Sequence, residues 1–461
     1  MRVMTFKKIL LATAVAVGCL ATQAVQAQSL GEVFSAAYNN NPTLLAARAA
    51  LRATDEGVPQ ALSGWRPTVS VTGEYGRQRQ EYDPASASNP NANLNPQTTS
   101  LTVSQPLYRG GRTEASTDSA EALVLAGRQD LAATERRVLL DAVTAYMDVV
   151  QNQAVLDLNR NNEEVLRRQF DAVRERFRVG EITRTDVAQS ESRLSRATAD
   201  RISAEGALVS SRAVLARIIG EMPRTLTTPP PLPQLPASEA EALAIAYDEN
   251  PDLQGARFRE VAAKYDVRAV SGGLLPSVSL NGSLTKADET TRANLEAESA
   301  KIALQLTMPL YEGGQIYSQT RQRKQTHNQR RIQVEEQRRS VRQSVVQAWE
   351  NLATARSNIT ARRSQVDASR IALEGVQQEA EVGSRTVLDV LDQEQEYLDA
   401  RVAEVRARRD EYVAGFTLVS SVGRLNARQL SLPVDYYDPE TNYQRVRDKW
   451  FGTDGGLNAS E

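Results

Sequence analysis

The chain repeats itself, and this duplication constrains its fold more than any other feature of the sequence. Asn41-Pro42 recurs 209 positions later as Asn250-Pro251. A second pair of segments, residues 106–111 and 309–314, reads Pro-Leu-Tyr-x-Gly-Gly and is separated by 203 positions. The six-residue difference lies between residues 73 and 106, where Asp-Pro and Asn-Pro pairs are typical of loops. Because self-similarity at a long, fixed spacing indicates repeated structural units, we expect two similar halves.

A proline-rich segment separates the two halves. Residues 228–233 read Thr-Pro-Pro-Pro-Leu-Pro, which predicts a stiff, extended linker. We therefore divide the chain into a signal peptide (1–27), a first repeat (28–225), the proline-rich linker (226–236), a second repeat (237–428) and a C-terminal tail (429–461). Each repeat is expected to contain a helix, two strands, a long helix, a turn at its tip and a returning helix.

Each half contains one very long segment without proline, residues 111–179 in the first and 314–382 in the second. Each would form an α-helix about 100 Å long, at 1.5 Å per residue. The shorter segments 30–62 and 181–219 together match one long helix and could pair with it antiparallel. Helices of this length are typical of coiled coils. Apolar residues at coiled-coil spacing support this prediction: Leu166, Phe170, Val173 and Phe177, then Leu391, Leu398, Val402 and Val405.

Each half also contains two runs in which apolar and polar residues alternate, the pattern typical of strands. The runs begin near residues 69, 101, 278 and 302, and the Gly-Gly pairs at 110–111 and 313–314 would turn the chain from strand to helix. Runs of about 9–11 residues can cross a bilayer, although a soluble hairpin explains them equally well. Four membrane strands cannot close a barrel. Several subunits would have to share one, and three subunits give twelve strands.

The N-terminus has the pattern of a secretory signal. Basic residues precede an apolar stretch over residues 9–18, and Val25-Gln26-Ala27 fits a cleavage site before Gln28. A short membrane anchor is the alternative. Cys19 is the only cysteine and would be the acylated residue of a lipoprotein, but Ala16 stands where such signals usually have leucine. Elsewhere no apolar stretch reaches about 18 residues, so we expect no helical membrane span.

Composition and missing motifs argue against an enzyme or a nucleic-acid-binding protein. The net charge is -2, and 55 basic and 57 acidic residues are interspersed. His327 is the only histidine, and we expect it to be solvent-exposed, which argues against a Ser-His-Asp site or a histidine metal site. No phosphate-binding glycine loop with lysine appears. We therefore predict no catalytic, cofactor-binding or metal-binding residue and no cofactor.

Two similar turns are predicted at the far ends of the long helices. Gly180 and Gly383 can adopt positive φ and end a helix. Thr183 precedes Asp186, and Thr386 precedes Asp389, with the spacing of a capping box. If capping is their only role, Asp186 and Asp389 simply start the next helix.

These features together resemble the TolC outer-membrane efflux family along nearly the whole mature chain. The duplication, the Pro-Leu-Tyr-x-Gly-Gly motifs and the two tip turns carry the resemblance. It implies a mostly α homotrimer with a coiled-coil periplasmic barrel. Four strands per chain would join into a shared twelve-stranded transmembrane β-barrel in contact with outer-membrane lipid. It also implies two further partners, a periplasmic adaptor (membrane fusion) protein and an inner-membrane pump of the ABC or RND type.

The function implied is that of a passive exit duct in a tripartite export system. Its cargo would be type I secreted proteins, small toxic compounds or both, and residues 437–452 resemble the tail of the type I secretion branch. A dedicated drug or metal efflux duct is the alternative. A periplasmic coiled-coil scaffold is a more remote one, because it leaves the four strands unexplained.

The resemblance also assigns roles at the tip. Asp389 and Asp392 would form two rings of carboxylates at the aperture, and such rings select cations. Arg385 with Asp186 would form a latch that opens when the adaptor engages. The turns around Gly180, Thr183, Gly383 and Thr386 would contact the adaptor. Well-studied members have a tyrosine where this chain has Ala380, and Phe177 is a candidate replacement for it.

Overall fold

The computed structural model describes residues 27–85 and 91–454. Within these residues the chain forms ten α-helices: α1 (Leu30–Asn40), α2 (Pro42–Asp55), α3 (Gly57–Leu62), α4 (Arg112–Arg178), α5 (Arg184–Ile219), α6 (Glu239–Glu249), α7 (Pro251–Ser271), α8 (Gln315–Glu381), α9 (Val387–Ser421) and α10 (Pro439–Arg447). It also forms six strands: β1 (Thr68–Tyr75), β2 (Gln78–Gln80), β3 (Ala92–Leu94), β4 (Gln97–Arg109), β5 (Ser277–Asp288) and β6 (Glu296–Thr307). The predicted signal peptide up to residue 26, with Cys19, and the end of the predicted tail lie outside the described residues.

Two α-helices of equal length, α4 and α8, are the longest elements. Each has 67 residues, about 100 Å at 1.5 Å per residue. Among the described residues, no helix is both long enough and apolar enough to cross a membrane. The returning helices α5 and α9 pack along the part next to the turn, and α2 and α7 pack along the other part. Each long helix is therefore accompanied along its length by shorter helices, and in the second half the two principal ones are α7 and α9.

The segment 30–62 differs from the prediction, because it breaks into α1, α2 and α3 instead of forming one helix. Asn41 has an extended backbone, with φ -68° and ψ 119°, since the ring of a following proline disfavours the helical conformation. Asn250, before Pro251, has nearly the same values, φ -67° and ψ 119°. The repeated Asn-Pro pair is thus a helix boundary in both halves.

The repeated asparagines also connect distant helices. Oδ1 of Asn41 accepts hydrogen bonds from two backbone N–H groups at the start of α2 (2.9 and 3.4 Å). Its Nδ2 donates to the carbonyl oxygen of Ile218 near the end of α5 (3.0 Å). Nδ2 of Asn250 donates in the same way to the carbonyl oxygen of Ser421 at the end of α9 (2.9 Å). Each asparagine fastens the start of one helix to the end of the returning helix in its own half.

We expect Asn41→Ala to lower the free energy of unfolding by about 1–3 kcal/mol, because it removes a helix cap and leaves a buried carbonyl without its partner. Asn41 is 7% exposed, whereas its neighbour Asn40 is exposed. Asn40→Ala is therefore the matched control and should change little. Thermal unfolding followed by helical circular dichroism measures both. Equal transitions in the two variants would contradict the role given to Asn41.

The main hydrophobic core lies where α1, α4, α5 and α9 meet, and it also holds the proline-rich linker. Tyr146 of α4 is fully buried, and its hydroxyl donates to the carbonyl oxygen of Thr227 (2.6 Å). The hydroxyl of Tyr412 in α9 donates to the carbonyl oxygen of Pro230 (2.9 Å). The linker is therefore fixed against the helices along its path between the halves.

Strands β1, β4, β5 and β6 form one antiparallel sheet in this order. They contain 8, 13, 12 and 12 residues, so three are longer than the predicted runs. The pairing of β4 with β5 joins the two halves, and Leu101 lies opposite Leu284. Strands β2 and β3 form a separate small hairpin. Within the described residues, the edge strands β1 and β6 have no further strand beside them.

The Gly-Gly pairs turn the chain from the sheet into the long helices. Gly111 and Gly314 directly precede α4 and α8, with φ of 72° and 80°. Glycine adopts this left-handed conformation without steric cost. Gly110 also packs closely on the other half, since a Cβ there would lie 2.2 Å from the carbonyl oxygen of Gly272. These junctions place the sheet at one end of the long helices and the predicted tip turns at the other.

Candidate functional site

The sheet has one apolar face and one mainly polar face. On the polar face, Ser104 donates to Oδ1 of Asn281 (2.7 Å), and Nδ2 of Asn281 donates to Oε1 of Gln305 (2.8 Å). Apolar residues on the other face are strongly exposed, with Ile302 at 82% and Leu304 at 68%. An exposed apolar surface of this extent indicates contact with a membrane or a protein partner. The strand register places these apolar residues on one side: Val69, Val71, Leu101, Val103, Val278, Leu280, Leu284, Ile302, Leu304 and Leu306.

Both long helices end in the same kind of turn at the end remote from the sheet. Gly180 and Gly383 have φ of 79° and 77°. In each turn, the glycine N–H and the next N–H donate to carbonyl oxygens in the last turn of the helix, at 2.9–3.1 Å. This pair of bonds is a Schellman motif, which satisfies helix carbonyls that have no partner within the helix. The structure therefore gives both glycines the helix-ending role expected from the sequence.

The two aspartates that follow complete capping boxes at the starts of the returning helices, whose N-cap residues are Thr183 and Thr386. Oδ2 of Asp186 accepts hydrogen bonds from the backbone N–H (2.9 Å) and the hydroxyl (2.7 Å) of Thr183. Oδ2 of Asp389 accepts the same two bonds from Thr386, at 3.0 and 2.9 Å. Both pairs are capping boxes. Capping is thus one established role of these carboxylates within the chain.

Capping also fixes the charge of these aspartates. Hydrogen bonds from the side chain and then the backbone of Thr183 hold the pKa of Asp186 below its ordinary value. The backbone N–H and then the hydroxyl of Thr386 lower the pKa of Asp389 in the same way. A lowered pKa means that the caps stabilise the fold above the ordinary aspartate pKa, about 3.9, and that this stabilisation is lost as pH falls through the lowered value. Both carboxylates are therefore charged at neutral pH.

Within one chain, Arg385 contacts Glu379 rather than Asp186. Nε of Arg385 donates to Oε2 of Glu379 (2.8 Å), so the ion pair closes over the second turn, and both side chains are about half exposed. The predicted latch with Asp186 is not formed inside the chain. The latch between Arg385 and Asp186 stays a prediction.

Asp392 lies one helical turn beyond Asp389 and pairs with Arg193 of α5. The side chain of Arg193 is 27% exposed and that of Asp392 is 56% exposed. This ion pair joins the two returning helices close to the tip. Asp389 therefore accepts hydrogen bonds from a threonine, whereas Asp392 pairs with an arginine.

Sequence reasoning missed Arg193 and Glu379. Arg193 and Asp392 are 199 positions apart, so no local spacing connects them. Glu379 and Arg385 are six positions apart, and they meet only because the chain reverses at Gly383. A charge on each side of a helix-ending glycine was the available signal for the second pair.

His327 differs from the prediction that it is solvent-exposed. It is not fully solvated, because its Nε2 lies 2.5 Å from Oε1 of Glu260 in α7, and its side chain is 30% exposed. The cause is the packing of α7 against α8. Residues 27–85 and 91–454 contain no group of three or more His, Cys, Asp or Glu side chains arranged to hold a metal ion.

Comparison with known proteins supports one assignment. The profile of the family described as "Outer membrane efflux protein" matches residues 33–221 and 242–424. The outer membrane efflux protein BepC of Brucella suis is 35% identical, over 94% of this chain and 93% of its own. The outer membrane protein TolC of Vibrio cholerae is 28% identical, over 92% and 97%.

The fold agrees with this assignment. The crystal structure of a membrane protein from Pseudomonas aeruginosa matches with a TM-score of 0.77 at 20% identity, covering 85% of this chain and 90% of that one. The predicted family, the outer-membrane location with a periplasmic helical part and the general role as an exit duct are confirmed. The chain therefore belongs to the outer membrane efflux protein family.

Proposed function

We propose that three copies of the chain share one twelve-stranded transmembrane barrel. The observation that carries this proposal is a four-stranded sheet with two open edges, β1 and β6, among the described residues. Lipid cannot hydrogen-bond backbone groups, so each edge must pair with another strand inside the membrane. Four strands are too few to close a barrel, since bacterial barrels have at least eight. Edge pairing between β6 of one chain and β1 of the next closes the barrel without further strands.

The two faces of the sheet support the same arrangement. Transmembrane barrel strands alternate between apolar residues that face lipid and polar residues that face the lumen. Here the apolar face, with Leu304 and Ile302, would contact outer-membrane lipid. The face with Ser104, Asn281 and Gln305 would line a polar channel, and the hydrogen bonds among these residues cross three strands.

The helices would continue this channel across the periplasm. In the proposed homotrimer, α4 and α8 with their shorter partners form a coiled-coil barrel about 100 Å long, from the helix length. We assign the first repeat to residues 28–225 and the second to 237–428, joined by the linker 226–236, with residues 1–27 as signal peptide and 429–461 as tail. The duplicated Asn41 and Asn250 contacts support this division, because each lies within one repeat.

We place the adaptor contacts at the tip turns. The turns around Gly180 and Gly383 are the irregular points at that end of the helices, and the capping threonines Thr183 and Thr386 lie on them. The partners would be a periplasmic adaptor protein and an inner-membrane pump of the ABC or RND class. The chain itself would be passive, without catalysis or cofactor, and would conduct type I secreted proteins, small toxic compounds or both.

The aperture would lie at the same turns. Three copies of Asp389 and three of Asp392 would form rings at the narrow end, and acidic rings favour cations. Arg385 would hold the closed state, together with Asp186 of a neighbouring chain, until the adaptor displaces them. The ion pair of Arg385 with Glu379 supports this role, because it fixes the arginine beside the turn.

A measurement of assembly and conductance tests the proposal. The purified full-length protein is expected to run as a heat-sensitive trimer on gels, and to show a small, cation-selective conductance in planar bilayers. The barrel accounts for the first result and the closed acidic aperture for the second. Folded monomers without conductance would contradict the shared barrel. Trimers with a wide, unselective conductance would keep the barrel and contradict the closed aperture.

A further inference from the structure

We propose that Arg193 is a built-in counter-charge that limits the cation selectivity of the aperture. This inference rests on the proposed function, since it assumes that Asp392 lines the narrow end of the duct. The structure pairs the guanidinium of Arg193 directly with the carboxylate of Asp392. In a trimer, a ring of three aspartates would then be accompanied by a ring of three arginines.

Packing fixes the position of this pair. The residues next to each partner in sequence, Leu194 and Leu391, belong to one apolar cluster between α4, α5 and α9. Leu391 is 2% exposed. Because the helices are held by this cluster, Arg193 and Asp392 face each other whatever the position of the outer parts of the turns. The pair therefore joins two packed helices, whereas the pair of Arg385 with Glu379 closes over a single turn.

The charges then have a simple consequence for permeating ions. An ion pair in direct contact presents almost no net charge at a distance, because the two fields largely cancel. Asp389 has no cation in direct contact, since its hydrogen-bond donors, the N–H and hydroxyl of Thr386, are neutral. Arg385 acts on Asp389 only at longer range, because its guanidinium is paired with Glu379. The aperture would thus contain one acidic ring that is only partly screened, at Asp389, and one ring that is neutralised by direct contact, at Asp392. Removal of the arginine charge would activate the second ring.

Reversal potentials of single channels across a potassium chloride gradient test this inference. Arg193→Gln is expected to raise the ratio of potassium to chloride permeability severalfold over the wild type. Asp392→Asn should lower the ratio below the wild type, because it leaves the arginine unpaired. The double variant should return to the wild-type ratio, since both members of the pair are then uncharged. Arg193→Lys should also keep the wild-type ratio, because the positive charge remains.

Arg196→Gln is the matched control. Arg196 lies one turn further along α5 and pairs with Asp200 of the same helix (3.8 Å), with a side chain 59% exposed. Arg196→Gln removes the same positive charge as Arg193→Gln but leaves the ion pair of Asp392 intact. The ratio of potassium to chloride permeability should therefore not change. Trimer bands on unheated gels show that each variant assembles.

Two outcomes would overturn the inference, and they differ in their meaning. In the first outcome, Asp392→Asn lowers the permeability ratio, but Arg193→Gln changes it no more than the control Arg196→Gln does. The proposed aperture is then kept, and Arg193 has no part in its selectivity. If Asp389→Asn and Asp392→Asn both leave the ratio unchanged, the proposed aperture itself fails, and Arg193 has nothing to neutralise.

Discussion

Leu304→Lys is expected to abolish assembly of the protein in the outer membrane, whereas Gln305→Lys, one residue further, should leave it nearly intact. Leu304 lies in the apolar face of β6, opposite Leu280, and 68% of it is exposed in the single chain. A lysine on the lipid side of a barrel costs about 2–4 kcal/mol at the centre of the bilayer and about 0–1 kcal/mol near its edges. Leu304 lies between the middle and the end of β6. Three copies per trimer multiply this cost, so the assembled state should be lost.

Gln305 is a strict control because it lies on the same strand and faces the opposite side. Its Oε1 accepts a hydrogen bond from Asn281 on the polar face. A lysine there would enter a hydrated lumen and lose only this bond, at a net cost of about 1 kcal/mol. Leu304→Ala provides a second control, because it shortens the side chain without adding charge.

Outer-membrane fractions run on unheated gels measure the effect, since an assembled barrel resists detergent until it is heated. We expect the trimer band to disappear for Leu304→Lys alone. Wild-type amounts of trimer in that variant would show that the apolar face does not contact lipid. Loss of trimer in both lysine variants would show that β6 tolerates no charge on either side, which contradicts the polar lumen.

The sequence predicted the parts of the fold that depend on short-range patterns. Alternation near Val69 and Leu101 identified strands, and the Gly-Gly pairs marked the junctions with the long helices. The helix ends at Gly180 and Gly383 were also predictable, because only glycine adopts positive φ without strain. The break at Asn41 was missed, although the proline after it is a known local signal.

The partners of charged residues could not be predicted in this way. Arg193 meets Asp392, and Glu260 meets His327, because separate helices pack in a particular register. Register is decided by apolar contacts such as those of Leu391 with α4 and α5, and charge spacing within one helix carries no information about it. Long charged side chains also have several acceptors within reach, as Arg385 shows with Glu379.

Opening of the duct is the second large effect that we expect. Arg385→Ala combined with Asp186→Ala should raise single-channel conductance sharply above that of the wild type. Arg385 is held at the turn by Glu379, and the proposed trimer brings it to Asp186 of the next chain. Loss of both residues removes the charge contacts that would keep the neighbouring tips together, so the closed state should become a minor one.

Two further variants separate the latch from the cap. Asp186→Asn removes the charge but keeps an oxygen that can accept the hydrogen bonds of Thr183, so the start of α5 should stay intact. Glu379→Ala breaks only the contact within the chain. If the latch lies between chains, Asp186→Asn combined with Arg385→Ala should open the duct as far as the alanine pair, and Glu379→Ala should have a smaller effect.

Arg370→Ala is the control for charge loss, because Arg370 pairs with Glu374 in the same helix (2.9 Å) and lies well before the turn. The single-channel conductance of the Arg370→Ala variant should equal that of the wild type. A rise with Glu379→Ala but not with Asp186→Asn would move the latch into the second turn of a single chain. Folded trimers whose conductance is unchanged in every tip variant would mean that these charges do not close the duct. The apolar cluster around Leu391, which also joins the helices at this end, would then be the next element to test.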